Sequence, residues 1–414
     1  MNFLYNIAVH IVFFFLRVYA LFNAKMKLFV NGRKETFKKL SVLSKEDRVV
    51  WFHAASLGEF EQARPIIEKV REDFPKHKIV ITFFSPSGYE IRKDYELADV
   101  VCYLPFDTKK NVKKFVEIIH PDIAVIIKYE FWPNLLHELK IKKTKTILVS
   151  GIFRSKQSFF KGYGVWFRKS LQAFDHFFLQ DQQSKELLKT IQLENVSVSG
   201  DTRFDRVYEI LEQDNQLEFV DEFKNNQYTV IAGSTWKEDE ALFVTYINRD
   251  AAHNEKFIIA PHNMNEKAIQ KLKESIQTET ILFSEKEGCK LENYQVLIVD
   301  TIGLLTKIYS YADAAYVGGG LASKGIHNIL EPATFGVPIV IGNVYDKFKE
   351  AIDLVALKGA ISIKNQSTFS AIFTKLREDS GFRNETGEIC ANYIKQNVGA
   401  TSEIMKYIYK ELNT

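Results

Sequence analysis

Cysteine is scarce in this 414-residue chain: Cys102, Cys289 and Cys390 are the three present, far apart and odd in number. A disulfide framework or a zinc site is therefore not expected, and a reducing compartment fits. No Walker lysine motif and no GxGxxG occurs, which removes support from P-loop ATPases and from a Rossmann oxidoreductase. Asp-x-Asp is also missing, and no histidine–carboxylate cluster has metal-ligand spacing, so neither a metal nor another cofactor is called for. The formal net charge of +3 is too small to argue for nucleic acid as a partner. Low-complexity tracts and short-period repeats are absent too, and an ordered protein follows.

What is present begins with an apolar segment, FLYNIAVHIVFFFLRVYALF, at residues 3–22. It is long enough to span a bilayer but carries Asn6, His10 and Arg17. On a helix those three fall within about 40° of one another, a narrow polar stripe on an apolar cylinder. The pattern predicts a membrane-associated helix (residues 1–25), either in the plane or spanning with its polar face covered. A buried helix of a soluble protein is the plainer alternative. No basic residue precedes the run, against a cleavable signal peptide. Lys25, Lys27, Arg33, Lys34, Lys38, Lys39 and Lys45 follow it, opposed only by Glu35, Glu46 and Asp47 before Arg48. Such a collar holds the rest of the chain on the cytoplasmic side and attracts anionic headgroups.

With 46% hydrophobic residues the chain can bury two cores. From residue 48 short apolar runs alternate with amphipathic stretches, at 48–55, 78–85, 100–106, 123–129, 145–151, 176–180 and 196–200. A polar stretch at 206–227 reads as a linker. The alternation then resumes at 228–234, 256–262, 279–284, 294–300, 314–320 and 337–343. Strand, helix, strand at this spacing predicts parallel sheets covered on both faces. The expected fold is α/β: two Rossmann-like, doubly wound domains (26–205 and 228–380) with an inter-domain cleft. A helical segment, 381–414, is expected to pack back on the first.

In the second half, a strand ends in Gly318, Gly319 and Gly320, and a helix is expected near His327 or Asn328. Glycines let a ligand approach the backbone, and a helix N-terminus presents N–H groups and a positive dipole end to phosphate. Glu331 lies where a carboxylate can accept from ribose hydroxyls. Ser234 and Thr235 follow another strand, as an anion site or as a simple cap. His262 stands at a third strand end, where a lone histidine is as readily structural.

In the first half, WFHAASLGEFEQA places Glu59 just beyond a strand, where open α/β sheets bind their ligands. Ser56-x-x-Glu59 is also formally a capping box. Pro65 argues that the regular helix starts later and leaves Glu59 in a loop, available to take a proton from an attacking hydroxyl. KYEFWPN gives a second carboxylate, Glu130, whose alternative is a lysine salt bridge. In GDTRFDR, Arg203 is either a cation for a leaving phosphate or the partner of Asp201 or Asp205.

Taken together, WFHAASLGE, YEFWPN, GDTRFD, AGSTWKEDE, APHNMNE and GGGLASKGIHNILEPATFGVP, in this order, resemble the Kdo transferases. These attach 3-deoxy-D-manno-oct-2-ulosonic acid (Kdo) from CMP-Kdo to a lipid A precursor in lipopolysaccharide synthesis. The resemblance implies a GT-B fold with an acceptor domain followed by a CMP-sugar domain. It implies Glu59 as general base, with Glu130 and Arg203 supporting the transition state. It implies CMP held by Pro261 and His262, by Ile302, Gly303 and Leu304, and by Asn328, Ile329, Leu330 and Glu331, beside Ser234 and Gly319. It also implies the cytoplasmic face of the inner membrane, with an N-terminal anchor. Three positions depart from the family pattern: His262 stands for arginine, Leu304 for glutamate and Arg203 for lysine. Another nucleotide-sugar GT-B transferase, an epimerase, or a non-catalytic membrane-bound homologue are the competing readings.

Overall fold

The structure, a computed structural model, describes residues 2–321 and 325–413. Residues 322–324, inside the glycine-rich signature, lie outside the described residues. The chain divides into two compact units, Met1–Arg206 with Val398–Thr414, and Val207–Asn397.

Unit 1 is built on seven parallel strands: β1 (Val49–Ala54), β2 (Lys78–Phe83), β3 (Val100–Tyr103), β4 (Ile123–Ile127), β5 (Lys145–Gly151), β6 (His176–Leu179) and β7 (Val196–Val198). Their order is β3-β2-β1-β4-β5-β6-β7. Because helices cover both faces, β1 and β4 are buried at every residue and read as continuous apolar runs rather than alternating ones. The chain leaves β1 toward one edge and returns at β4 toward the other, so β1 and β4 flank the topological switch point.

Unit 2 repeats the design with β8 (Thr229–Thr235), β9 (Lys256–Pro261), β10 (Thr280–Leu282), β11 (Val296–Ile298), β12 (Ala314–Val317), β13 (Ile339–Gly342) and β14 (Ala360–Ile363), ordered β10-β11-β9-β8-β12-β13-β14. Here β8 and β12 flank the switch point. Strand β14 is not among the runs expected from the sequence, because AISI is short and only half buried.

Several boundaries differ from the sequence reading. The helix after β1 runs Leu57–Asp73 and passes straight through Pro65. A mid-helix proline costs about 3 kcal/mol, but Phe60, Ile66, Ile67 and Val70 are fully buried here. Each contributes about 1.5–3 kcal/mol, so burial wins. The stretch 206–227 is not bare linker: Glu218–Lys224 is helical, and its Val220 and Phe223 sit in the unit 2 core. At the C-terminus, helix Ser380–Asn397 stays with unit 2, where Cys390 Sγ donates to the Gly359 carbonyl at 3.0 Å. Only helix Ala400–Leu412 joins unit 1, burying Ile404, Met405, Ile408 and Leu412 against the sheet. Asp205 caps its start, accepting from the Thr401 N–H at 2.7 Å and Oγ1 at 2.8 Å.

The N-terminal helix, Asn2–Tyr19, keeps one face on unit 1. The Tyr5 hydroxyl donates to Asp107 at 2.6 Å, Asn6 accepts from Asn134 at 3.1 Å, and the Phe13 ring lies 4.0 Å from Phe106. Its other face leaves Phe3, Leu4, Ile7, Ile11, Val12, Phe14, Phe15 and Val18 exposed. No helix among the described residues is long and apolar enough to cross a membrane.

Candidate active site

In unit 1 the switch point carries both predicted carboxylates. Ser56, in extended conformation, is the N-cap of helix Leu57–Asp73, which places half-buried Glu59 in its first turn rather than in a loop. The Ser56 hydroxyl donates to the Glu59 carboxylate instead of capping a backbone N–H, so serine and glutamate face each other and the reciprocal box is not formed.

Glu130 follows β4 after Lys128, whose φ of +60° is unusual for a residue with a side chain. Its carboxylate is 14% exposed and accepts from His53 Nε2 at 3.1 Å and Trp132 Nε1 at 2.6 Å. Burial works to raise its pKa, but His53, Trp132 and the nearby Arg33 together outweigh burial and hold it below the ordinary value. A carboxylate only accepts, so His53 Nε2 carries the hydrogen toward Glu130, while Nδ1 lies 2.9 Å from the Thr82 hydroxyl and 3.1 Å from the Thr82 carbonyl. Trp51 Nε1 in turn donates to Thr82 Oγ1 at 2.9 Å. The lysine salt bridge considered for Glu130 is thus replaced by a buried histidine–tryptophan clamp.

Behind it, buried Arg33 donates to the carbonyls of Phe29 and Phe84, both at 2.7 Å, and lies 3.8 Å from the Phe29 ring centre. Burial lowers its pKa to about 9, and it remains cationic at neutral pH. Phe84 stacks on Trp132 with centroids 4.9 Å apart, which joins this cage to the Glu130 clamp.

Arg203 pairs with Asp201 through Nε at 3.0 Å and NH2 at 2.8 Å. That is one of the two ion pairs the sequence allows; Asp205, the other candidate, caps the C-terminal helix instead. Asp201 also accepts from Gln62 Nε2 at 3.0 Å, so Arg203 is tied to the helix that carries Glu59, one turn further on. Burial opposes the charge on Asp201, and Arg203 with Gln62 holds its pKa below the ordinary value. Tyr129 feels both sides of the switch point: burial raises its pKa, with Arg154 opposing and Glu59 adding to the rise.

In unit 2 the predicted nucleotide residues collect at the C-terminal ends of parallel strands. Ser234, next to last in β8, has φ +53°, and Gly319 follows β12 at φ +95°. A Cβ at Gly318 would meet the Ser234 carbonyl at 2.3 Å, one at Gly319 the Gly325 carbonyl at 2.4 Å, and one at Gly320 the Gly342 backbone at 2.9 Å. The three glycines are therefore required by the protein's own backbone crossing, whatever binds there. Pro261 ends β9, and His262 follows it with its N–H donated to Thr235 at 2.8 Å. The helix expected near His327 or Asn328 starts at Leu330 and is five residues long. Ile329 and Leu330 are buried, which leaves their backbone alone for a ligand. Glu331 accepts from Thr306 Oγ1 at 2.9 Å and from Asn328 Nδ2 at 3.0 Å. In the turn before Leu305–Ile308, Ile302 is 80% exposed and Gly303 has φ +94° with open space at its Cβ.

Three rings that the sequence does not bring together form a stack at this edge. Trp236 lies 4.5 Å from His262, and His262 lies 4.3 Å from His327, centroid to centroid. Trp236 Nε1 donates to His327 Nε2 at 3.0 Å. Burial, aided by the His262 charge, lowers the His327 pKa to about 4. Beneath the stack, Asp239 accepts from Tyr316 at 2.7 Å and from the N–H groups of Trp236 and Gly319, both at 2.9 Å. That buried carboxylate sets the positions of both strand ends.

The profile of the 3-deoxy-D-manno-octulosonic-acid transferase (kdotransferase) family matches residues 31–206, which include Glu59, Glu130 and Arg203. The chain is 28% identical to the 3-deoxy-D-manno-octulosonic acid transferase of Aquifex aeolicus, over 80% of this chain and 85% of that one. It is 26% identical to the enzyme of the same name from Haemophilus influenzae, over 88% of each. The chain is similar to the Kdo transferases over most of its length. Among solved structures, a UDP-GlcNAc 2-epimerase from Neisseria meningitidis has a TM-score of 0.61 at 15% identity, over 88% of this chain and all of that one. MurG from Acinetobacter baumannii has a TM-score of 0.54 at 11% identity, over 88% of this chain and 99% of that one. Those two speak for the GT-B fold alone.

His262 sits within the ring stack, between Trp236 and His327. The residues that sequence reasoning leaves out have weak signals. His53 hides inside an apolar strand run, and its only cue is a histidine in VVWFHA. Trp236, Asp239 and His327 lie within quoted signatures, but nothing in one dimension brings Trp236 to His327 across 91 positions.

Proposed function

We propose that this chain transfers Kdo from CMP-Kdo to a hydroxyl of a lipid A precursor, releasing CMP in lipopolysaccharide synthesis. The observation that carries the reading is Glu59: a half-buried carboxylate in the first turn after β1, at the switch point, inside the region that matches the family. Glu59 takes the proton as the acceptor oxygen bonds to the anomeric carbon of Kdo and the bond from that carbon to the CMP phosphate breaks. Glu130, kept ionised by His53 and Trp132, and Arg203, balanced by Asp201, support the transition state as fixed charges. Unit 2 holds CMP at the strand ends around Ser234, His262, Gly319 and Glu331, with Ile302, Gly303 and Leu304 at the rim.

The reaction takes place at a membrane surface, the cytoplasmic face of the inner membrane, with helix Asn2–Tyr19 lying in its plane. Support comes from the division of that helix into a face bonded to unit 1 and an apolar face left in solvent. The test of the donor is product formation from CMP-Kdo against UDP-GlcNAc with a tetra-acylated lipid A precursor, read by mass. A product carrying Kdo is expected. Turnover of the UDP-sugar alone would move the chain to the epimerase or other-transferase reading.

A further inference from the structure

A cavity of about 230 Å³ in unit 1 is lined by Lys109, His137, Lys140 and Lys169, with Trp166 and Asn134 among its other walls. No acidic residue lines it. Among the described residues none of those four basic side chains makes a hydrogen bond or ion pair, in a protein where Asp and Glu nearly balance Lys and Arg, 52 against 55. All four basic side chains are exposed, so the lysines stay charged without a buried partner, and lysines serve phosphate as point charges. The N-terminus of helix Pro133–Ile141 adds little, because Asp107 already takes the N–H groups of Asn134 and Leu135, at 3.0 and 2.9 Å. The cations alone set the preference.

The position of the cavity narrows the source of the anion. Its wall Trp166 lies 5.3 Å from Tyr5 of the N-terminal helix, and its wall Asn134 donates to Asn6 of that helix. Lys109 also lines a second cavity, with Phe3, Asn6, His10, Phe13 and Lys110. A phosphate held by these lysines therefore sits beside a helix whose outer face is bare hydrocarbon, where acyl chains can follow it. Pro133 and Asn134 come directly after the Glu130–Trp132 clamp in the chain.

We propose that this cavity binds the phosphate monoester of a lipid and so sets where a phosphorylated lipid acceptor lies relative to Glu130. The proposal deepens the transferase reading and rests on it for the acceptor being a lipid. Flotation with phosphatidylcholine vesicles tests it, doped in parallel with phosphatidic acid or, at matched surface charge, with phosphatidylglycerol. The wild type is expected to prefer phosphatidic acid. Lys140→Ala/Lys169→Ala loses affinity for it by about thirtyfold, on the scale of two lysines near an anionic surface, and loses the preference. The charge-matched control, Lys156→Ala/Lys161→Ala, keeps the preference. Equal losses on both lipids by both variants would mean diffuse surface charge and overturn the proposal, as would a wild type without preference. Inorganic phosphate leaves the vesicle complex intact; displacement at parity with the lipid phosphate would make free phosphate the ligand and overturn the lipid assignment. Vesicle binding requires no turnover, so failure of the transfer assay with the lipid preference retained sinks the transferase reading and leaves the cavity standing.

Discussion

At the residue scale, two histidines in similar-looking strand-end motifs do opposite electrostatic work. His53 donates to Glu130, whose folded pKa lies below its unfolded value. The stability this carboxylate contributes is therefore present above about pH 4.3 and is lost as pH falls through the depressed folded value. Glu130→Gln is expected to cost about 1.5–3 kcal/mol at neutral pH, the range for hydrogen bonds to a charged group, and to flatten the acid limb of stability against pH in urea titrations. His327 is the reverse case, a base whose folded pKa, about 4, lies below the ordinary 6.5. The unfolded chain takes up this proton first, so unit 2 loses stability as pH falls from 6.5 toward 4. His327→Phe, which keeps a ring in the stack, is expected to remove that slope from thermal melts followed through Trp236 fluorescence. Neither partnership is legible in the sequence, because each joins residues that only the sheet order brings together.

At the scale of elements, periodicity and strand-end position carry the reading far. Every apolar run expected to be a strand is one, and the Glu59 and Glu130 turns fall at a switch point because β1 and β4 are central neighbours. The errors are at helix starts, where local rules compete with packing. Pro65 reads as a breaker in one dimension, but the four buried apolar side chains around it outweigh its cost. The glycine-rich signature reads as a ligand cradle, yet its three glycines are demanded by neighbouring backbone. Asp205 is an acid within a family motif whose role in the fold is structural, since it caps helix Ala400–Leu412. Asp205→Ala is expected to lower unfolding free energy by about 0.5–2 kcal/mol, the measured range for losing a cap, with transfer activity retained. A loss of activity at unchanged stability would instead assign Asp205 to chemistry.

At the scale of the whole molecule, the chain makes one discontinuous unit and one continuous one. Residues 207–397 hold a complete sheet with apolar clusters on both faces and are expected to fold alone, giving one cooperative melt that CMP shifts upward. A broad, ligand-insensitive melt would contradict the assignment of the nucleotide to this unit. Removing 398–414 has the opposite expectation for unit 1, since it strips Ile404, Met405, Ile408 and Leu412 from its core. Composition and alternation announce two α/β units, but they cannot show that the last helix returns to the first only after Asn397. The transferase mechanism stands on Glu59. Its most direct test is Kdo transfer from CMP-Kdo to a tetra-acylated lipid A precursor by the wild type and by Glu59→Gln in parallel, with the variant's fold checked by its melt. Transfer by the wild type is expected, with a loss of about two or more decades in the folded variant, on the scale of a general base. A variant nearly as active as the wild type would reduce Glu59 to the hydrogen-bond partner of Ser56 and contradict the mechanism.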